Sequence, residues 1–532
     1  MKILIVYCLF ILPVKPGGYN YVMRRVYLIV AVILISCQAA SSFKPRPTAI
    51  TTPTPTAAPT IILPTAASLP TVTPTALPET EFNVILHPDG SLFVGDQISI
   101  EVISLADINL KEIKVQVQVD GIKNDQSSAG FSEQGIGGRL QATFNWIWDT
   151  GDLQPGEYQI NFSIQPEGTS WMETVRLLPA DDVPNPEPAA HWVTETLECC
   201  EIYFISGTDF AHDLPSLMDI IQVQAEQAVL SMGVGFDQRI PVTILPRVLG
   251  HGGFAADEIY VSYIESNYAG NDLAQVLHHE MIHILDRRLG GDLRPSLLVE
   301  GLAVYLSQGH FKKEPIIPRA SALVDLGWYL PLTELADSFY TSQHEIGYLE
   351  GAALVEFMIN RYGWLAFSDF YRDIHPHPSE RESKALDAAV QAHFDISFQQ
   401  LESLFTAELN RQHIIPDMRA DLILSVNYYE AVRRYQLILD PSAYFLTAWL
   451  PEGEQMRQNG IVADYLRRPS TPQNLSIEEL LIEIDLQIRA GNYFQAGKAL
   501  YLVNQKLDLI QNDVLTGTFQ PKQDQHSFIR AE

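Results

Sequence analysis

The hydrophobic positions of this chain change rhythm along its length. Between residues 81 and 180 the period is two. Ile98, Ile100 and Val102 alternate with polar neighbours, and Ile113, Val115, Val117 and Val119 repeat the pattern before Asp120-Gly121. Alternation that ends on a turn dipeptide predicts hairpins with one face buried. A third stretch, Phe144-Asn145-Trp146-Ile147-Trp148-Asp149, runs through Pro155-Gly156 into Tyr158-Gln159-Ile160-Asn161-Phe162. After a Pro-rich join at 184–188 the pattern becomes mixed. Strands are predicted at 201–205, 241–245 and 258–262, with a helix at 213–232 and two more helices after Asp272 and Pro295. A helix near 398–404 closes this unit. Beyond residue 412 the spacing is helical, over 427–439 and 476–510, with Ala490-Gly491-Asn492-Tyr493 as the turn of a helical hairpin.

These rhythms predict a multidomain chain: an all-β unit at 81–180, a linker at 181–195, an α+β unit at 196–411 and an all-α region at 412–532. The segment from Phe144 to Phe162 looks like the late hairpin of an immunoglobulin-like or fibronectin-like sandwich. Its expected role is a spacer or adhesion module, since no site chemistry stands out on it. The C-terminal helices read as a supporting or partner-binding bundle.

Composition agrees with several cores. A chain of 532 residues, 46% hydrophobic and 19% charged, calls for roughly three or four domains. With 64 acidic against 35 basic residues the formal net charge is -29, which repels phosphate backbones and excludes a nucleic-acid footprint. Of the four cysteines, Cys8 and Cys37 lie in the N-terminal apolar region, leaving the adjacent Cys199 and Cys200. That excludes a disulfide framework or a CxxC zinc knuckle, and the pair reads as structural thiols at a strand start.

Residues 1–42 read as a targeting segment. Met23-Arg24-Arg25 followed by an apolar run from Val26 to Ile35 has the form of a secretory signal, and translation starting at Met23 fits it. The run ends in Leu34-Ile35-Ser36-Cys37, which resembles a bacterial lipobox. That resemblance implies cleavage before Cys37 and a lipid anchor on it. The other reading is an uncleaved N-terminal anchor. Either places the rest of the chain outside the membrane. Residues 43–80 are Thr, Pro and Ala repeats such as Thr51-Thr52-Pro53-Thr54-Pro55-Thr56, expected as an extended spacer.

The chemistry is concentrated on the two helices after Asp272. Asp272 with Gln275 three residues on predicts the start of the first, and Gly290-Gly291 its stop. Inside it lies His279-Glu280-Met281-Ile282-His283. Residues four apart share a helical face, so both imidazoles can reach one Zn2+ while Glu280 acts as general base on water. The competing reading is a surface helix with two solvated histidines. Pro295-Ser296 starts the second helix, and Glu300 is the carboxylate on its otherwise apolar run. Two histidines and a glutamate form a catalytic zinc set. Alternatively, Glu300 is a carboxylate satisfying the helix dipole.

At this point the chain resembles the gluzincins, the thermolysin and aminopeptidase N superfamily of peptidase MA-like enzymes. Glu300, Gly301, Ala303 and Tyr305 match the segment Leu-x-Glu-Gly-x-Ala-x-Tyr. The resemblance spans roughly 198–411. It implies a gluzincin-type metallopeptidase domain with His279, His283 and Glu300 on zinc. Tyr348, with Gly351 and Ala352, fits a Tyr-x-x-Gly-Ala context in which the tyrosine donates to an oxyanion; the other reading is a core tyrosine. The chain departs from the aminopeptidases where their Gly-x-Met-Glu-Asn loop grips a free amine. Here Gly252-Gly253-Phe254-Ala255-Ala256 stands instead, with Ala255 in place of the acid. Gly253, Phe254 and Ala255 then become a strand for an extended peptide substrate, and endopeptidase action is favoured.

Asp286 is a candidate to orient His283 from beyond the metal, or else to pair with Arg287 or Arg288. His278 is expected at the surface. Two functions stay open: an active zinc peptidase at the cell surface, or a surface-anchored binding lipoprotein on an inactive peptidase-like scaffold. Retention of His279, Glu280, His283 and Glu300 together favours the enzyme.

Overall fold

Among the described residues eight strands form between 82 and 178: β1 (Phe82–His87), β2 (Leu92–Phe93), β3 (Gln97–Ser104), β4 (Lys114–Val119), β5 (Gln126–Gly130), β6 (Gln141–Asp149), β7 (Gly156–Gln165) and β8 (Ser170–Leu178). The computed structural model describes residues 82–104, 113–120, 126–131, 141–166, 169–250, 252–270, 272–310, 312–444 and 453–515. Cys37, the signal region, the 43–80 spacer and Gly121 lie outside the described residues. The strands make two sheets, ordered β1-β3-β6 and β2-β8-β7-β4-β5. Ile98, Ile100 and Val102 of one and Val115, Val117, Val119, Ile160 and Phe162 of the other enclose a shared core around Trp148.

The period-two pattern hides one feature. Ser99 and Glu101, at the polar positions of β3, are buried as well, and Glu101 meets His87 at 2.9 Å. The outer face of β1-β3-β6 is covered by the chain beyond residue 440. Ile147 of β6 packs with Met456, Ile461 and Tyr465, and Arg467 grips Asp96 through two bonds of 2.6 and 2.8 Å. Buried ionic groups persist where they are paired in this way.

The second architecture is a mixed sheet of β9 (Trp192–Thr196), β10 (Cys200–Ile205), β11 (Ile240–Leu245), β12 (Gly253–Ala255) and β13 (Ile259–Ser262), in the order β12-β13-β11-β10-β9. The three central strands are parallel, and both edge strands are antiparallel to their neighbours. Helix α1 (Asp209–Met232) makes the crossover that parallel β10 and β11 require. It buries Leu217, Ile221, Ala225, Ala228 and Met232 at helical spacing. Two corrections belong here. Trp192–Thr196, which begins within the 181–195 stretch expected as linker, is a strand of this sheet. Cys199 and Cys200, expected as thiols, are joined as a disulfide between neighbours.

Helices follow to the end of the described chain: α2 (Leu273–Leu289), α3 (Ser296–Leu306), α4 (Ile316–Leu326), α5 (Leu332–Asp337), α6 (His344–Tyr362), α7 (Trp364–Arg372), α8 (Glu382–Phe394), α9 (Phe398–Leu409), α10 (Pro416–Leu439), α11 (Pro441–Tyr444), α12 (Gly453–Gln458), α13 (Ala463–Leu466), α14 (Pro472–Arg489) and α15 (Tyr493–Leu515). Helix α10 is buried on two faces. Leu422 and Val426 join the core of α1 to α9, while Tyr428, Val432 and Tyr435 pack on α14 and α15. The C-terminal helices therefore buttress the α+β unit directly. Among the described residues no helix is long and apolar enough to cross a membrane.

Candidate metal centre

Helix α2 is fixed at its start by Asp272, whose side chain accepts from the Gln275 amide at 3.0 Å. The Gln275 side chain does not reach back to the cap. It donates to the Gly309 carbonyl and ties α2 to the loop after α3. Leu277, Met281, Ile282 and Leu285 bury one side of α2, which turns His279 and His283 together toward α3. There Glu300 stands on a helix whose other side chains fill the core. His279 Nε2 lies 3.0 Å from His283 Nε2, and Glu300 Oε2 lies 3.3 Å from the first and 3.2 Å from the second.

This triangle fits a zinc ion. Tetrahedral bonds of about 2.0–2.1 Å separate neighbouring donors by about 3.3 Å. Glu300 Oε2 is buried without a hydrogen bond among the described residues, while Glu300 Oε1 accepts from the Tyr340 hydroxyl at 2.7 Å. Two ring nitrogens and an uncommitted carboxylate oxygen converging on one point are a donor set for a borderline metal. No other group of three such donors occurs among the described residues.

Electrostatics in the metal-free site divide the two histidines. Burial pushes His279 down to about 4, against the pull of Glu300. Burial also opposes charge on His283, but there the Glu300 carboxylate outweighs it and lifts the imidazole to about 9. Glu300 itself is held well below the usual carboxylate range; burial opposes this and the two histidines overcome it. Glu280 points elsewhere. It is buried against the edge strand β12, where a Cβ on Gly253 would lie 3.3 Å from Glu280 Oε1 and 2.5 Å from Val276 Cγ1. Only glycine admits this approach of strand to helix. Burial raises Glu280 to about 8, a value suited to a group that takes and returns a proton.

The structure also places the remaining candidates. Gly253, Phe254 and Ala255 form β12, bonded on one side to β13 with Phe254 opposite Tyr260. It ends the sheet, and among the described residues no strand pairs its other side. The Tyr348 ring stands among His279, His310 and His344, with centroids at 6.3, 4.5 and 4.1 Å. Asp286 does not hydrogen-bond His283. It is fully buried and accepts from Arg294 at 2.7 Å, because the turn after α2 brings that arginine back over the helix end. His283 Nδ1 has no hydrogen-bond partner among the described residues. Nor does Asp286 pair with Arg287 or Arg288, which reach out to Asp257 and Asp237. His278, expected at the surface, is buried by tertiary packing, and burial with Lys313 nearby lowers it to about 4.

Four groups escaped the sequence reading: Tyr340 on Glu300, and His310, His344 and Glu345 beside the triangle. His344 had a legible signal, since it precedes Tyr348 by four residues and shares its helical face. Nothing local marks Tyr340 or His310.

No protein-family model matches the sequence, and no curated protein matches it. Among solved structures, an M1 zinc metallopeptidase from Deinococcus radiodurans is similar at 14% identity and a TM-score of 0.27, over 63% of this chain and 94% of that one. Native yeast LTA4 hydrolase is similar at 11% identity and a TM-score of 0.32, over 83% of this chain and 94% of that one. An aminopeptidase N family protein from Idiomarina loihiensis is similar at 9% identity and a TM-score of 0.22, over 62% and 70%.

Proposed function

We propose that this chain is a zinc-dependent peptidase that cleaves within extended peptide segments. In this reading, lipid on Cys37 tethers it outside a membrane, and residues 43–80 with an immunoglobulin-like module at 81–180 act as spacer. The observation that carries the catalytic reading is the donor triangle of His279, His283 and Glu300 with Glu280 buried against the edge strand β12. His279, His283 and Glu300 would hold the zinc, which would supply Lewis acidity toward a water and a carbonyl oxygen.

The chain's own groups do the rest. The unpaired edge of β12 binds the substrate backbone as an added strand, so the scissile bond runs alongside Glu280. Glu280 takes the proton of the attacking water and returns it to the leaving nitrogen, a contribution of about 10²–10⁴-fold. Tyr348 donates to the carbonyl oxygen as negative charge develops on it. Tyr340 holds Glu300 through Oε1, leaving Oε2 for the metal. With Ala255 where an amine-gripping acid would stand, nothing on β12 requires a free N-terminus, which favours endopeptidase action.

The test uses the full chain. After dialysis it should retain one tightly bound zinc by elemental analysis and cleave a casein-type substrate. Glu280→Gln should keep that zinc and reduce turnover by roughly a hundredfold or more, whereas His279→Ala and Glu300→Ala should lose the metal. Full activity in Glu280→Gln would overturn the catalytic reading and leave the surface-binding one. Cys37→Ala should move the protein out of the membrane fraction; unchanged fractionation would remove the tether.

A further inference from the structure

Beside the first triangle stands a second pair of imidazoles with nearly the same geometry. His310, in the loop after α3, and His344, the first residue of α6, face each other with Nε2 atoms 3.3 Å apart. The corresponding distance between His279 and His283 is 3.0 Å. Ring centroids are 4.8 Å apart in one pair and 4.6 Å in the other. Both separations suit two corners of a zinc tetrahedron, whose donors lie about 3.3 Å apart.

The surroundings hold the two rings in place. His310 Nδ1 meets Glu345 Oε1 at 2.5 Å, and Arg319 stands behind that carboxylate at 3.7 Å. Glu345 stays anionic, because the lowering by His310 and Arg319 exceeds the effect of its burial. Glu345 on Nδ1 holds the ring so that Nε2 faces His344, the arrangement that backs histidine ligands in metal sites. Burial keeps His344 uncharged, with its ring between Tyr348 and Tyr429 at centroid distances of 4.1 and 4.6 Å.

We infer that His310 and His344 form a second zinc site beside the first, with Glu345 as the group that orients His310. Two imidazoles without a carboxylate ligand select zinc and similar transition metals over magnesium or calcium. Water completes the coordination, so this site fills at higher free zinc than the three-donor site. The His279 and His310 rings are 6.1 Å apart, which sets the second ion at the edge of the catalytic cavity. The inference does not depend on peptidase activity.

Equilibrium dialysis of the full chain against increasing zinc tests it. Wild type should saturate with a second, weaker zinc. His310→Ala and His344→Ala should each lose that weaker zinc and keep the tight one, and Glu345→Gln should weaken it by about 10-fold or more. His279→Ala should lose the tight zinc and keep the weaker. Saturation of wild type at the tight zinc alone would overturn the inference, as would a second zinc that survives both histidine changes, since it would then sit elsewhere on a chain of net charge -29. If the alanine variants do not fold, wild type holding one zinc can be titrated with cobalt(II). Visible bands of a nitrogen-ligated site are expected, and their absence overturns the proposal. Loss of the tight zinc from wild type, with the weaker zinc kept, would count against the catalytic reading alone.

Discussion

Gly301 of α3 and Gly351 of α6 touch where the two helices cross. A Cβ on Gly301 would lie 2.5 Å from the Gly351 carbonyl oxygen, and one on Gly351 would lie 2.9 Å from the Leu297 carbonyl oxygen. The crossing sets the position of Glu300, one residue before Gly301, against Tyr348, three residues before Gly351. Gly301→Ala or Gly351→Ala should force the helices apart at a cost of about 1–3 kcal/mol, and zinc should bind more weakly as Glu300 shifts. Thermal unfolding with and without zinc, together with metal analysis after dialysis, measures both effects. Wild-type melting and full zinc in either variant would mean that the close crossing is not needed.

Zinc uptake should depend on pH with a definite sign. In the metal-free protein His283 is protonated at neutral pH because Glu300 lifts it to about 9, and zinc must displace that proton. Apparent affinity should therefore rise about tenfold per pH unit through neutral pH and level off near 9. Calorimetric titration in buffers of different ionisation enthalpy counts the released proton. An affinity that is flat above pH 7 would show that His283 is not the protonated partner.

The two tyrosines near the site should separate metal from rate. Tyr340→Phe removes the bond to Glu300 Oε1, so zinc affinity should fall about 10- to 100-fold. Tyr348→Phe should leave zinc in place and lower kcat about 10²–10³-fold with little change in KM, as loss of an oxyanion donor does. Metal affinity and steady-state kinetics on the same two proteins decide it. If the effects are exchanged, Tyr340 is the oxyanion donor.

Arg467, just past α13, ties the C-terminal helical region to the β sheets from a buried position, paired with Asp96 and Glu187. Arg467→Ala leaves Asp96 buried without its partner, and stability should fall by about 3–5 kcal/mol. Denaturant unfolding followed by tryptophan fluorescence measures the loss. A change below about 0.5 kcal/mol would place the variant with ordinary surface substitutions.

Local pattern determined much of this protein. The alternation of β3 and β4 follows from a two-residue pleat, and the start of α2 from an aspartate that can accept its own helix's amides. His279 and His283 share a face because helical residues four apart must do so. Glu300 was legible as a carboxylate on an apolar helix, which has to find a partner. These are short-range facts, written in neighbouring residues.

What only the tertiary structure decided are the contacts that periodicity does not encode. A period of two identifies one buried face of β3, but Glu101 on the other face is buried as well, and on that face Ile147 of the neighbouring β6 packs with Met456, Ile461 and Tyr465, far along the chain. Asp286 pairs with Arg294 rather than with its helix neighbours because the turn after α2 returns over the helix end. Tyr340 meets Glu300, and His310 meets His344 and Glu345, because the crossing of α3 and α6 brings a loop and a helix start to the same side chains. Burial of an apolar side chain follows from its amphipathic rhythm, whereas the partner of a buried polar group depends on which distant segment docks over it.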